Sequence, residues 1–135
     1  MKLSHIPAQF VSQSWNIVQP FISSALEHAD EDYSVDQVKV YLTNGQWVLI
    51  VAQNEQNQVV GASTTSFMNY PNDRVAFVTA LGGRLISDTD TYNQFKNILK
   101  SFGATKIQGA TRKSTARLWH RLGFKERHII IEAKI

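Results

Sequence analysis

Gly82, Gly83 and Arg84 offer the clearest chemistry in this chain, directly after Leu81. A glycine lets its backbone amide approach a ligand closely, because no Cβ intervenes. A guanidinium beside two such amides can meet a phosphate or a diphosphate. A helical pattern then opens at Ser87-Asp88-Thr89-Asp90. Helix starts attract anions through their free amides, but here aspartates already complement the dipole. Each would also repel a docking polyanion by about 1 kcal/mol at roughly 4 Å in water. The local expectation is a bulged strand end followed by a self-capped helix. A working phosphate cradle is the rival.

Other candidate groups are scattered. Glu27, His28, Asp30 and Glu31 are candidate general bases, although Glu27 and His28 are helix neighbours and do not face one another. His5, His28, His120 and His128 lack metal-ligand spacing, so no metal site is expected. The absence of cysteine excludes disulfides and thiolate zinc sites. Neither a Walker loop nor a Ser–His–Asp constellation can be read. Arg112, Lys113, Arg117 and Arg121 surround Trp119 as a basic surface. That surface matches no nucleic-acid-reading module.

Three segments must position the glycines. Ser87–Phe102 spaces Tyr92, Phe95, Ile98, Leu99 and Phe102 three or four apart, one apolar stripe of a helix. Ser87 or Asp88 can cap it, and Gly103 can close it in the left-handed region. Lys106–Ala110 reads as a strand. Lys113–Leu122 reads as a helix with Leu118, Trp119 and Leu122 on one side, stopped by Gly123. A helix between strands at 74–81 and 106–110 implies a right-handed crossover and parallel pairing.

The rest of the chain supplies the scaffold. Lys2–Ile6 is a first strand. Pro7 starts a helix carrying Phe10, Val11, Trp15, Ile17 and Val18, and Pro20 predicts a kink or a break within it. Phe21, Ile22, Ala25 and Leu26 continue that face to about His28. Residues 29–32 read as a loop, and Ser34 caps a helix through Leu42. Trp47–Ala52, Val59–Tyr70 and Arg74–Leu81 read as strands, the first two joined as a hairpin, with Gly82-Gly83 ending the third. Arg127–Lys134 reads as a last strand around Ile129-Ile130-Ile131.

With 135 residues and 43% hydrophobic content, the chain suits a single domain, 1–135. No run approaches the roughly 18 apolar residues of a membrane span, and a cytoplasmic location is the default expectation. The net charge of +3 is unevenly spread. Residues 100–135 hold nine of the 14 Lys and Arg and two of the 11 acids, a local +7. The first 99 residues carry −4. Such asymmetry favours an anionic partner, a complementary protein face or a second copy.

The element order, an α/β mixed sheet, resembles the GNAT (Gcn5-related N-acetyltransferase) fold over nearly the whole chain. Arg117-Leu118-Trp119-His120-Arg121-Leu122-Gly123-Phe124 is similar to the family's motif B, a helix reading R-L-Y-x-x-L-G-F. Phe102–Ile107 is similar to the turn before the fifth strand. The chain also resembles small GNAT-like proteins of tailed phages and prophages, through Gln19–Ile22, Tyr33–Val38 and Leu81-Gly82-Gly83. The resemblance implies acetyl-CoA as cofactor, with Leu81, Gly82, Gly83 and Arg84 as its contacts. It also exposes departures. The family's Q/R-x-x-G-x-G/A loop is missing at 81–88. Trp119 stands where a catalytic tyrosine is common, and an indole N–H releases no proton at useful pH.

Two readings follow. In the first, a phage-type GNAT-fold protein has a degenerate acetyl-CoA site and acts by protein contacts in infection or virion assembly. In the second, a divergent acetyl-CoA-dependent N-acetyltransferase acts on a primary amine, with water replacing the tyrosine. No catalytic residue can be named from the sequence.

Overall fold

The computed structural model describes residues 1–27 and 32–135. Its elements run β1 (Lys2–Ile6), α1 (Ala8–Leu26), α2 (Val35–Thr43), β2 (Val48–Gln53), β3 (Val59–Asn69), β4 (Arg74–Gly83), α3 (Thr89–Ser101), β5 (Lys106–Gly109) and α4 (Lys113–His120). The five strands form one sheet in sequential order. β1 to β4 pair antiparallel, and β5 pairs parallel to β4. The expected crossover therefore forms, with α3 as its helix.

Helices cover both faces of the sheet, so there are two cores. Val11, Trp15, Val18 and Ile22 of α1 pack with Val38 and Leu42 of α2 against Leu49, Val51, Ala62 and Ala80. On the other face Phe95 and Leu99 of α3, with Leu85, meet Leu3, Val48, Ile50, Ala52 and Ala76. β2 feeds alternate side chains into each core, which explains its unbroken apolar run.

The helix reading needs two corrections. α1 is continuous through Pro20 rather than broken. Val18 and Ile22 are both buried, one on each side of the proline, so packing holds both halves to one axis. Its buried positions are 11, 15, 18 and 22, while Phe10 and Ile17 face outward. The α2 start is as read: Ser34 accepts from the Gln37 amide while the Gln37 side chain accepts from the Ser34 amide. Of the loop read at 29–32, residues 29–31 lie outside the described residues, as does His28 before it.

One network locks the lower end of β4 to the α3–β5 turn. Gly103 takes φ +86°, and the Ala104 amide reaches back to the Leu99 carbonyl, closing α3. Arg74 Nε donates to the Phe102 carbonyl at 2.9 Å, and its guanidinium lies over the Phe67 ring. Thr105 Oγ1 donates to Asp73, and Lys106 Nζ pairs with Asp73 at 3.0 Å. Those bonds, the Lys106 one foremost, hold the Asp73 carboxyl below the usual carboxylate range.

His5 meets Phe102 edge to face at 4.8 Å, and burial lowers its pKa. The unfolded chain then takes up the proton first as pH falls. Stability should therefore drop as pH falls below about 6.5. Asp73 and Asp88, both shifted down, keep their stabilising contribution throughout that range and lose it only as pH falls below the ordinary carboxylate pKa. Urea midpoints at pH 7.5 and 5.5 should differ for the natural chain and converge for His5→Gln.

The last strand does not form. Residues 125–135 carry no regular structure and are exposed, including Ile129 (87%), Ile130 (76%) and Ile131 (90%). Composition favoured a strand, but a strand needs a paired edge, and none is engaged here.

Candidate functional site

The candidate site is the cleft implied where the β4–β5 pairing stops. Their parallel register runs from Val75↔Lys106 to Val78↔Gly109 and stops. Just there β4 carries a bulge: Thr64 pairs with Ala80 and Thr65 with Val78, leaving Thr79 as the extra residue. A bulge bends its strand and increases its twist, which carries β4 away from its neighbour. Thr79 Oγ1 is tied to the Thr64 carbonyl at 3.0 Å and to the Thr64 hydroxyl at 2.7 Å, fixing the bend. Residue 79 was not foreseen as functional. Its signal was a lone threonine inside the apolar run Val75–Leu81.

Above the bulge β4 keeps a partner on one side alone. Arg84 donates to the Val60 carbonyl at 2.8 Å, so Val60 and Arg84 form a hydrogen-bonded pair. Antiparallel pairs alternate between bonded and non-bonded. The Gly61↔Gly83 and Ser63↔Leu81 pairs are therefore non-bonded. By that alternation the amide and carbonyl of Leu81 point away from β3, toward the side on which β5 no longer pairs. Gly83, at φ +70°, departs from the extended backbone on which the alternation rests. Gly82, by the same alternation, spends its amide on Ala62.

The glycines also have a packing role. The strand runs two residues further than read, with Gly82 inside it and Gly83 as its last residue. A Cβ on Gly82 would sit 2.8 Å from the Phe21 carbonyl carbon and closer still to its oxygen. Gly83 has φ +70° and faces the Phe21 ring and the Val60 carbonyl. α1 thus rests directly on this end of β4. Of the four contacts implied by the resemblance, Leu81 turns main-chain groups to the side that β5 leaves, and Gly83 is exposed. Gly82 is buried, and Arg84 is exposed with its amide already used.

α3, the next element after β4, has a self-capped start as expected. Asp88 Oδ1 accepts from the Thr91 amide at 2.8 Å, and Thr91 Oγ1 accepts from the Ser87 and Asp88 amides. The bond from the Thr91 amide, then the one from its hydroxyl, lowers the Asp88 pKa. The carboxylate remains charged at neutral pH.

Glu27 is the C-cap of α1, while His28, Asp30 and Glu31 lie outside the described residues. His120 is exposed. Trp119 packs on Phe124 at 5.1 Å, and Phe124 reaches Tyr92 of α3 at 5.7 Å. Burial raises the Tyr92 pKa, keeping its phenol protonated above the usual range. The expected α4 stripe is only partly realised. Ala116 is buried and Trp119 half-buried, but Leu118 is exposed, because neighbours on a helix diverge by about 100°. Neither core includes a residue of α4. Among the described residues no cluster of His, Cys, Asp or Glu could hold a metal ion, and no helix is long and apolar enough to cross a membrane.

Neither a family model nor a curated protein matches this sequence. Solved structures do match in shape. A tetramutant of BH1408 from Bacillus halodurans covers 100% of both chains at TM-score 0.68 and 11% identity. The aminoglycoside acetyltransferase meta-AAC0020, from an uncultured soil metagenomic sample and solved with sisomicin, covers 99% of this chain and 95% of its own, at 0.68 and 12%. A protein from Clostridium acetobutylicum, described as a predicted acetyltransferase and solved with acetyl-CoA, covers 98% and 95%, at 0.64 and 15%. The expected phage subgroup finds no support among these neighbours. The parallel β4–β5 pair, the parting strands beyond it and these likenesses together establish that the chain has the GNAT acetyltransferase fold.

Proposed function

We propose that this protein binds acetyl-CoA in the β4–β5 cleft and transfers the acetyl group to a primary amine. The carrying observation is the main-chain edge of β4 at Leu81, beyond the last β5 pair at Val78↔Gly109. An amide-bearing pantetheine arm can pair with such an edge as an added strand would. The residues present fit that arm better than they fit the diphosphate. For the diphosphate the chain offers the Gly83 amide and the Arg84 side chain, since the Gly82 and Arg84 amides serve the sheet. A structural neighbour solved with acetyl-CoA adds support.

The chemistry is acyl transfer from sulfur to nitrogen. The C–S bond breaks, a C–N bond forms, the amine loses a proton and the leaving sulfur gains one. Trp119 cannot deliver that proton, so we assign delivery to water. α1 and α3, one on each face of the sheet, desolvate the cleft and favour the neutral, nucleophilic amine.

Calorimetry with acetyl-CoA tests the reading. Binding should be measurable, and Arg84→Glu should weaken it at least about tenfold, the loss of one charge-assisted contact. Asp88→Asn retains a capping oxygen and removes a charge, so it should bind two- to threefold more tightly at low salt. Absence of binding by all three proteins would overturn the proposal. It would leave the other reading, a GNAT-fold protein working through protein contacts. That alternative draws on the Asp88 cap, which occupies the anion-attracting end of α3.

A further inference from the structure

β1 forms one edge of the sheet, the edge away from β5. An open edge is a template for another strand, and natural sheets block it. β1 pairs with β2 through alternate residues, so its remaining main-chain groups face outward. The Leu3 amide shows which set that is, because it donates to Gln94 Oε1 of α3 at 2.9 Å. The outward positions are therefore Leu3, His5 and residue 7. Residue 7 is Pro7, extended at φ −57° and ψ 150°, and proline has no N–H to offer. Among the described residues, the His5 amide is the one outward donor left without a partner.

Gln94 copies one residue of a neighbouring strand. Its Oε1 accepts from the Leu3 amide, and its Nε2 donates to the Met1 carbonyl at 3.0 Å. A residue of a parallel strand makes the same two bonds, to residues two apart on its neighbour. The second Nε2 hydrogen goes to Asp90 Oδ2 at 3.0 Å, one turn earlier on α3. Three bonds thus fix the carboxamide, and the Leu3 donor decides which of its atoms is the oxygen. Leu3 also shares a core with Phe95 and Leu99 of α3, which keeps the helix beside β1.

We propose that Gln94 is an edge guard, and that the strand it excludes is β1 of a second copy. A copy related by a two-fold axis would lay β1 antiparallel to β1. The outward groups fix the register: Leu3 meets His5 as a bonded pair, and Ser4 meets Ser4 as a non-bonded one. Lys2 then falls opposite Ile6, so no like charges oppose the pairing. The bonded pair needs the Leu3 amide, and Gln94 holds it. β1 has five residues, so one blocked rung leaves too little edge for a stable addition. The proposal is independent of the acetyl-CoA reading, because β1 and the β4–β5 cleft lie on opposite sides of the sheet.

Gln94→Met tests it, since methionine keeps the length and the helix tendency while removing all three bonds. Amide exchange followed by NMR should speed up at least about tenfold at Leu3 and stay unchanged at Ile50 of β2. The natural chain has no cysteine, so Ser4→Cys can report the excluded pairing. In that register the two Ser4 Cα atoms stand about 4.5 Å apart, within disulfide reach. On oxidation, Ser4→Cys/Gln94→Met should run as a covalent dimer and Ser4→Cys as a single chain. Equal cross-linking with and without Gln94 would overturn the proposal, as would its absence in the double variant. So would Leu3 exchange that Gln94→Met leaves unchanged, or a rise of equal size at Leu3 and Ile50, which marks general loosening.

Discussion

Gly82→Ala should destabilise the protein by about 3 kcal/mol or more, the upper range for overpacking against atoms that cannot move. The new methyl would enter the space of the Phe21 carbonyl, which belongs to a buried stretch of α1 backbone. Relief requires lifting α1 from β4, and α1 supplies four of the residues of one core. Urea denaturation, read as a fall in midpoint at constant slope, checks the value. Gly83→Asp should fail similarly, because φ +70° and the Val60 carbonyl both reject a side chain. Loss of activity in either variant therefore says nothing about phosphate contact. Arg84→Glu is the informative change at this loop, because its side chain is exposed and serves no packing.

Phe95→Ala should cost about 3–5 kcal/mol. Phe95 is fully buried between α3 and the sheet, beside Leu99, Leu85 and Ile50. A typical domain is stable by about 5–15 kcal/mol in total, so this one change removes a large share. It also loosens the helix that follows β4, so weaker acetyl-CoA binding should accompany the lower midpoint. Leu118→Ala is the control. That side chain is exposed, and its removal should shift the single chain's stability by no more than about 0.5 kcal/mol. Thermal and urea unfolding of the three proteins, side by side, give the comparison.

Phe95 and Leu118 illustrate what could be read in advance. The α3 stripe is legible because 13 helical residues repeat their apolar positions and polar ones fill the remaining face. Phe95 and Leu99 are buried, and Tyr92, Ile98 and Phe102 flank them. α4 has eight residues, too few for the period to decide between neighbours such as Leu118 and Trp119. Pro20 misled for a related reason. Local chemistry forbids one hydrogen bond, while Val18 and Ile22 together bury enough surface to keep the helix whole.

The site divides along the same line. The glycine pair, the aspartate cap, the missing motif loop and the tryptophan in place of tyrosine were all visible as residue types. Which amides face the cleft was not, because that depends on hydrogen-bond alternation between β3 and β4, and so on a register shifted by the Thr79 bulge.

By itself the sequence determined the order of strands and helices as far as α4, the cap at Ser34, a cap at Ser87 or Asp88, the closing turn at Gly103 and the identity of most core positions. Each of these rests on interactions within a few residues or on a local repeat. Tertiary structure alone decided that Gly82 and Gly83 continue a strand beneath Phe21, that β4 parts from β5 after Val78, and that Ile129–Ile131 stay unpaired. Those outcomes depend on which distant backbone arrives alongside, and local composition carries no record of that.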